Sequence, residues 1–140
     1  LKEFSSSLKN NKKHIIATNE GSAVSIGIGQ YLSTKKIPII YMQNSGLSNA
    51  LNPLISIAHK KVYSIPLILI IGWRGSPHIK DEPQHNVKGK ITEQLLKLLN
   101  IRYTILRNHL DLKKFDKQIK IAKKTVFTLV FHQNLLNPEN

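Results

Sequence analysis

At 140 residues the chain has the size of one domain, and its 41% apolar content is enough for one ordinary core. No apolar run approaches the ~18 residues that a membrane-spanning helix needs, and the lack of cysteine excludes disulfides and thiolate metal sites. The net charge of +13 points toward nucleic acid, but its distribution points elsewhere. Lys113, Lys114, Lys117, Lys120, Lys123 and Lys124 are spaced as the solvated face of a helix. There are only three arginines, and no basic patch is interleaved with aromatics. The charge therefore reads as solvated surface, part of which faces an acidic partner.

The opening Leu1-Lys2-Glu3-Phe4-Ser5 carries neither an initiator Met nor the apolar core of a signal peptide. It reads as the tail of a helix, as expected of a fragment or a processed chain, with the cytoplasm as the expected compartment. His14 to Thr18 is a short β-rich run. Glu20 to Thr34 places Val24, Ile28 and Tyr31-Leu32 at helical spacing, and Ile37 to Gln43 is nearly all apolar. Leu47 to His59 carries Leu51, Leu54, Ile55 and Ala58 on one helical stripe, and Pro66 to Gly72 is the most apolar strand. An irregular stretch from Trp73 to about Lys90 precedes a helix over 91–100 and a strand over 103–106. An amphipathic helix over 110–124 and a strand over 125–131 follow. Residues 1–133 form the expected domain, and 134–140 a linker or tail.

Alternating β and α segments imply a doubly wound parallel sheet with helices on both faces. Ligands in such sheets bind beyond the carboxyl ends of the strands. The polar residues cluster just there: Asn19-Glu20-Gly21, then Gln43-Asn44-Ser45-Gly46, then Trp73-Arg74-Gly75 leading to Asp81-Glu82-Pro83-Gln84-His85. Each has a plain structural reading as well. Glu20 suits the first turn of a helix, where a carboxylate complements the dipole. Asn44-Ser45-Gly46 suits a turn with an N-cap, and Asp81 to His85 a solvated loop. The other histidines lack metal-ligand spacing, and no Walker loop, nucleophile elbow or dinucleotide fingerprint is present.

The strings Ala17-Thr18-Asn19-Glu20-Gly21-Ser22-Ala23-Val24, Ile37 to Leu47, Asn52-Pro53-Leu54, Ile70 to Gly75 and Lys80 to His85 occur in one order. Together they resemble the pyrimidine-binding domain of the phosphonopyruvate and sulfopyruvate decarboxylases, from about Ile15 to Tyr103. The resemblance implies a thiamine-diphosphate enzyme that removes carbon dioxide from a 2-oxo acid bearing an anionic group at C3. It implies that Glu20 hydrogen-bonds N1′ of the cofactor's aminopyrimidine and that Gly46 lies at the cofactor. Gln43 and Asn44 would face the substrate, with Arg74 or Lys80 holding its phosphonate or sulfonate. His85 with Gln84, and Asp81 or Glu82 beside them, would return a proton after carbon dioxide leaves.

The sequence lacks the Gly-Asp-Gly and distal Asn pattern that holds magnesium and the diphosphate, so no metal site is expected in this chain. A diphosphate-binding domain or subunit must then complete the site, making the active species at least a dimer. The family's opening strand and loop are also missing, which leaves a non-catalytic paralogue of the same fold as the rival reading. Phosphonopyruvate is the expected substrate and sulfopyruvate the alternative.

Overall fold

The computed structural model describes residues 1–77, 80–107 and 127–132. Its elements are α1 (Lys2–Ser7), α2 (Glu20–Thr34), β1 (Ile39–Gln43), α3 (Leu51–Pro53), β2 (Ile68–Trp73), α4 (Pro83–Leu98), β3 (Arg102–Leu106) and β4 (Phe127–His132). The strands form one parallel sheet in the order β1-β2-β4-β3. The helix expected over 110–124 and the tail over 134–140 lie outside the described residues.

The period of two along a strand explains why β2 is apolar throughout. Leu69, Ile71 and Trp73 point into the larger core with Val24, Ile28, Ile40, Met42, Leu54 and Leu96. Ile68 and Ile70 point the other way, joining Leu106 in a second cluster against which Leu1, Phe4 and Tyr41 pack. Helix residues from α2 and α4 thus contribute to one face of the sheet, while α1 covers the other. On that second face the Phe4 and Tyr41 rings meet edge-on at 5.2 Å, and the Tyr41 hydroxyl donates to Ser5 Oγ.

Three expectations change. His14 to Thr18 is not a strand: among the described residues β1 pairs only with β2. His14 Nε2 shares a 2.7 Å hydrogen bond with the Tyr41 hydroxyl, and the chain beyond it leaves Ile15 and Ile16 exposed. A short apolar run acquires strand geometry only from a ladder, and none forms here. The segment instead walls one side of a groove of about 570 Å³ whose other side is β1.

The expected helix over 47–59 is broken. Asn44–Gly46 is a 3₁₀ turn, Leu51–Pro53 a short α turn, and Leu54–Ala58 a wide π turn. Pro53 has no N–H to donate, so a regular helix cannot run through it. The third change concerns α4, which begins at Pro83 rather than Ile91. Proline at the first helical position is favoured because its fixed φ fits and its missing N–H would have no partner there. Gln84 and His85 therefore sit on a helix, not in a loop.

Candidate active site

Asn19 caps α2: its side chain accepts from the Ser22 N–H at 2.9 Å, an interaction worth about 1 kcal/mol. Glu20 follows as the first helical residue, where the dipole favours an anion. The Asn49 side-chain amide donates to Glu20 Oε2 at 3.0 Å. That bond, the backbone N–H of Glu20 itself and the nearby Lys88 ammonium hold the carboxyl below its ordinary range, outweighing partial burial. Glu20 is therefore ionised at neutral pH.

Gly46 lies against this carboxylate. A Cβ there would overlap Glu20 Cγ, Cδ and Oε1, so the 3₁₀ turn can approach Glu20 only with glycine at this position. The neighbouring Ser45 hydroxyl donates to Gln43 Oε1 at 2.8 Å, and Lys88 Nζ lies 3.5 Å from the Ser45 carbonyl. Glu20 also lines the groove beside β1, together with Ile26, Ile39 and Tyr41.

A second polar cluster joins β1, β2 and α4. Arg74 donates from Nε to Asp81 Oδ2 at 2.8 Å and from Nη2 to Oδ1 at 2.6 Å. The same carboxylate accepts from the Gly75 and Glu82 backbone N–H groups, each at 2.9 Å. These contacts, the guanidinium first, hold the Asp81 carboxyl far below the usual carboxylate range and raise Arg74. Asn44 is buried beneath them. Its amide donates to the Arg74 carbonyl and to Thr92 Oγ1, both at 3.0 Å, and its Oδ1 accepts from the Arg74 N–H at 3.1 Å.

Helix α4 fits this cluster closely. Gly75 has φ +64°, and a Cβ on Gly89 would overlap the Gly75 carbonyl, so both positions depend on glycine. The Trp73 indole N–H donates to the Gly89 carbonyl at 2.9 Å.

The structure brings Glu20 and Gly46 into contact and adds Asn49 and Lys88. Gln43 is half-buried beside them. Asn44 and Arg74, expected to meet a substrate, are instead committed to the cluster around Asp81. Gln84 and His85 lie in the first turn of α4, and no hydrogen bond joins either to Glu20 among the described residues. His85 Nδ1 is buried without a hydrogen-bond partner. Asn49 and Lys88 gave no sequence signal of their own; Lys88 could have been found from Pro83, which starts the helix that carries it. No cluster of metal-ligating side chains occurs among the described residues.

An ionised carboxylate at a helix N-terminus can accept a hydrogen bond from a protonated ring nitrogen. Residues 1–96 match the family described as thiamine pyrophosphate enzyme, N-terminal TPP binding domain. The chain belongs to that family. It is 37% identical over 99 residues to the phosphonopyruvate decarboxylase of Streptomyces viridochromogenes, covering 71% of this chain and 24% of that protein. The enzyme of the same name from Streptomyces hygroscopicus is 37% identical over 94 residues, covering 67% and 23%. The sulfopyruvate decarboxylase subunit alpha of Methanococcus maripaludis is 37% identical over 91 residues, covering 65% and 52%. The chain thus spans about a quarter of the length of the two Streptomyces relatives and about half that of the alpha subunit.

Proposed function

We propose that this domain is the pyrimidine-binding half of a thiamine-diphosphate decarboxylase converting 3-phosphonopyruvate to phosphonoacetaldehyde and carbon dioxide. A diphosphate-binding domain or subunit supplies the other half, together with magnesium. The ionised Glu20 carboxylate facing Gly46 is the observation that carries this reading.

When bound, thiamine diphosphate supplies the electron sink for loss of carbon dioxide. Glu20 would hold the pyrimidine ring through its N1′ nitrogen, its charge keeping a proton on that atom. Asn49 fixes the carboxylate through Oε2, leaving the acid oriented before any ligand arrives. Gly46, lacking a Cβ, lets its turn pack directly against the Glu20 side chain. Gln43 faces the substrate from the end of β1. His85, supported by Gln84, returns a proton after carbon dioxide has left; its buried Nδ1 is a polar atom still in want of a partner. Asn44, Arg74 and Asp81 position the first turn of α4 and do not bind substrate.

Sulfopyruvate is the second substrate to consider. The alpha subunit from Methanococcus maripaludis is as similar in identity as the phosphonopyruvate enzymes, and this chain covers a larger share of it. The test measures carbon dioxide release from each acid, with magnesium and thiamine diphosphate, with and without the candidate partner domain. Turnover of 3-phosphonopyruvate that requires the partner supports the proposal; preference for sulfopyruvate moves it to the second substrate. Glu20→Gln should abolish turnover and leave the melting temperature near that of the parent, whereas near-normal turnover in that variant would sink the assignment.

A further inference from the structure

We infer that Lys88 is the side chain that receives the anionic group at C3 of the substrate, and so makes the site selective for phosphonate- or sulfonate-bearing 2-oxo acids. The inference deepens the decarboxylase reading and rests on it.

Glu20 is ionised and would repel an acid that carries two anionic groups, so the mouth of the site requires a cation not already neutralised. Three candidates lie near the carboxyl edge of the sheet. Arg74 has the better shape for a tetrahedral oxyanion, but its guanidinium is spent on Asp81 in a two-point bridge. The Asp81 side chain is only 4% exposed, so releasing Arg74 would leave a buried carboxylate without its counterion. Lys80 is exposed beside Asp81, and no hydrogen bond links it to Glu20 or to the Gln43–Gly46 turn among the described residues.

Lys88 is placed differently. It lies one helical turn beyond His85, and residues three apart share a helix face. Its ammonium lies 3.5 Å from the Ser45 carbonyl, at the limit of a hydrogen bond, so its three donors remain largely available. Its charge also reaches Glu20. The ammonium thus lies beside the Asn44–Gly46 turn, whose cap is Gln43, and within electrostatic reach of Glu20. Gln43 Oε1 is occupied by the Ser45 hydroxyl, while its amide N–H groups have no partner among the described residues. A point charge with a neighbouring amide donor suits a tetrahedral oxyanion at the far end of a small 2-oxo acid.

The experiment uses the chain assembled with its diphosphate-binding partner, magnesium and thiamine diphosphate. Lys88→Gln and Lys88→Arg are compared with the parent in steady-state turnover of 3-phosphonopyruvate and pyruvate. Calorimetric binding of phosphonoacetate, an unreactive anion, is measured in parallel. Lys88→Gln should raise KM for 3-phosphonopyruvate and weaken phosphonoacetate binding by about tenfold or more, while Lys88→Arg keeps both within about threefold. The preference for 3-phosphonopyruvate over pyruvate should fall with the same variant.

A Lys88 that acts only through Glu20 would lower kcat for both acids alike, shift the pH profile and leave phosphonoacetate binding unchanged; that result overturns the inference. So does an equal loss on every substrate accompanied by a lower melting temperature. If the parent binds phosphonoacetate through Lys88 yet releases no carbon dioxide, the anion site stands and the decarboxylase reading falls. If the parent neither binds nor turns over, both fall.

Discussion

Glu20 and Gly46 are 26 positions apart in sequence, yet a single added carbon on one would displace the other. The clash in Gly46→Ala involves the Glu20 side chain from Cγ outward rather than backbone, so the fold should accommodate the substitution by moving Glu20. Misplacing a catalytic group by about 1 Å can lower activity about 100-fold, and we expect a loss of that order with little change in melting temperature. Turnover in the assembled enzyme and a thermal melt read the two effects separately; full activity in the variant would show that Glu20 need not lie where it does. At this scale the sequence was informative but ambiguous. On local evidence a first-turn glutamate reads more readily as a dipole partner, and only the motifs around it favour a cofactor role. The partners of Asn44 and Arg74 are not legible in the sequence, because they lie 30 or more residues away or depend on how a loop folds back.

The bridge between Arg74 and Asp81 acts at the level of elements, joining the end of β2 to the start of α4. Asp81 is held below the ordinary aspartate value, so it stabilises this junction above about pH 4 and loses that contribution as the pH falls through and below that value. The single tryptophan reports on the same junction, since its indole N–H binds the Gly89 carbonyl. The near-ultraviolet circular dichroism of Trp73 should therefore change as the pH is lowered below about 4, and Asp81→Asn should weaken that pH response. An unchanged acid response in Asp81→Asn would assign it to other carboxylates.

Among the elements, α2 is legible to the residue because its apolar periodicity and first-turn carboxylate agree. The start of α4 is hidden because its first turn is polar: Pro83, Gln84, His85 and Asn86 carry no apolar stripe, and a proline suits a loop as well as a first helical turn. The run from His14 to Thr18 failed for the opposite reason, since apolar periodicity cannot tell which neighbour, if any, completes a ladder.

The whole molecule combines a charge of +13 with exposed apolar side chains, among them Ile16, Tyr63, Val87 and Leu98. Repulsion between copies is long-ranged at low salt and is screened within about 8 Å near physiological salt. The isolated chain should therefore self-associate more strongly as salt is raised, and the partner domain should suppress that association by covering part of this surface. Light scattering at about 0.05 M and about 0.5 M salt tests this directly. Association that weakens with salt would instead indicate that charge, not apolar surface, holds copies together. The parallel α/β class was plain from the order of segments, whereas the strand order was not, because β4 enters between β2 and β3 and no local pattern marks that insertion.

The bridge around Asp81 also bears on entropy. Its carboxylate fastens Arg74, Gly75 and Glu82 through four hydrogen bonds, and the Asn86 side chain donates to the Asp81 carbonyl. These groups give up their conformational freedom when the chain folds, not when a ligand arrives. A molecule that binds against the first turn of α4 therefore meets a surface already ordered, and less of its binding energy is consumed in arranging the protein around it.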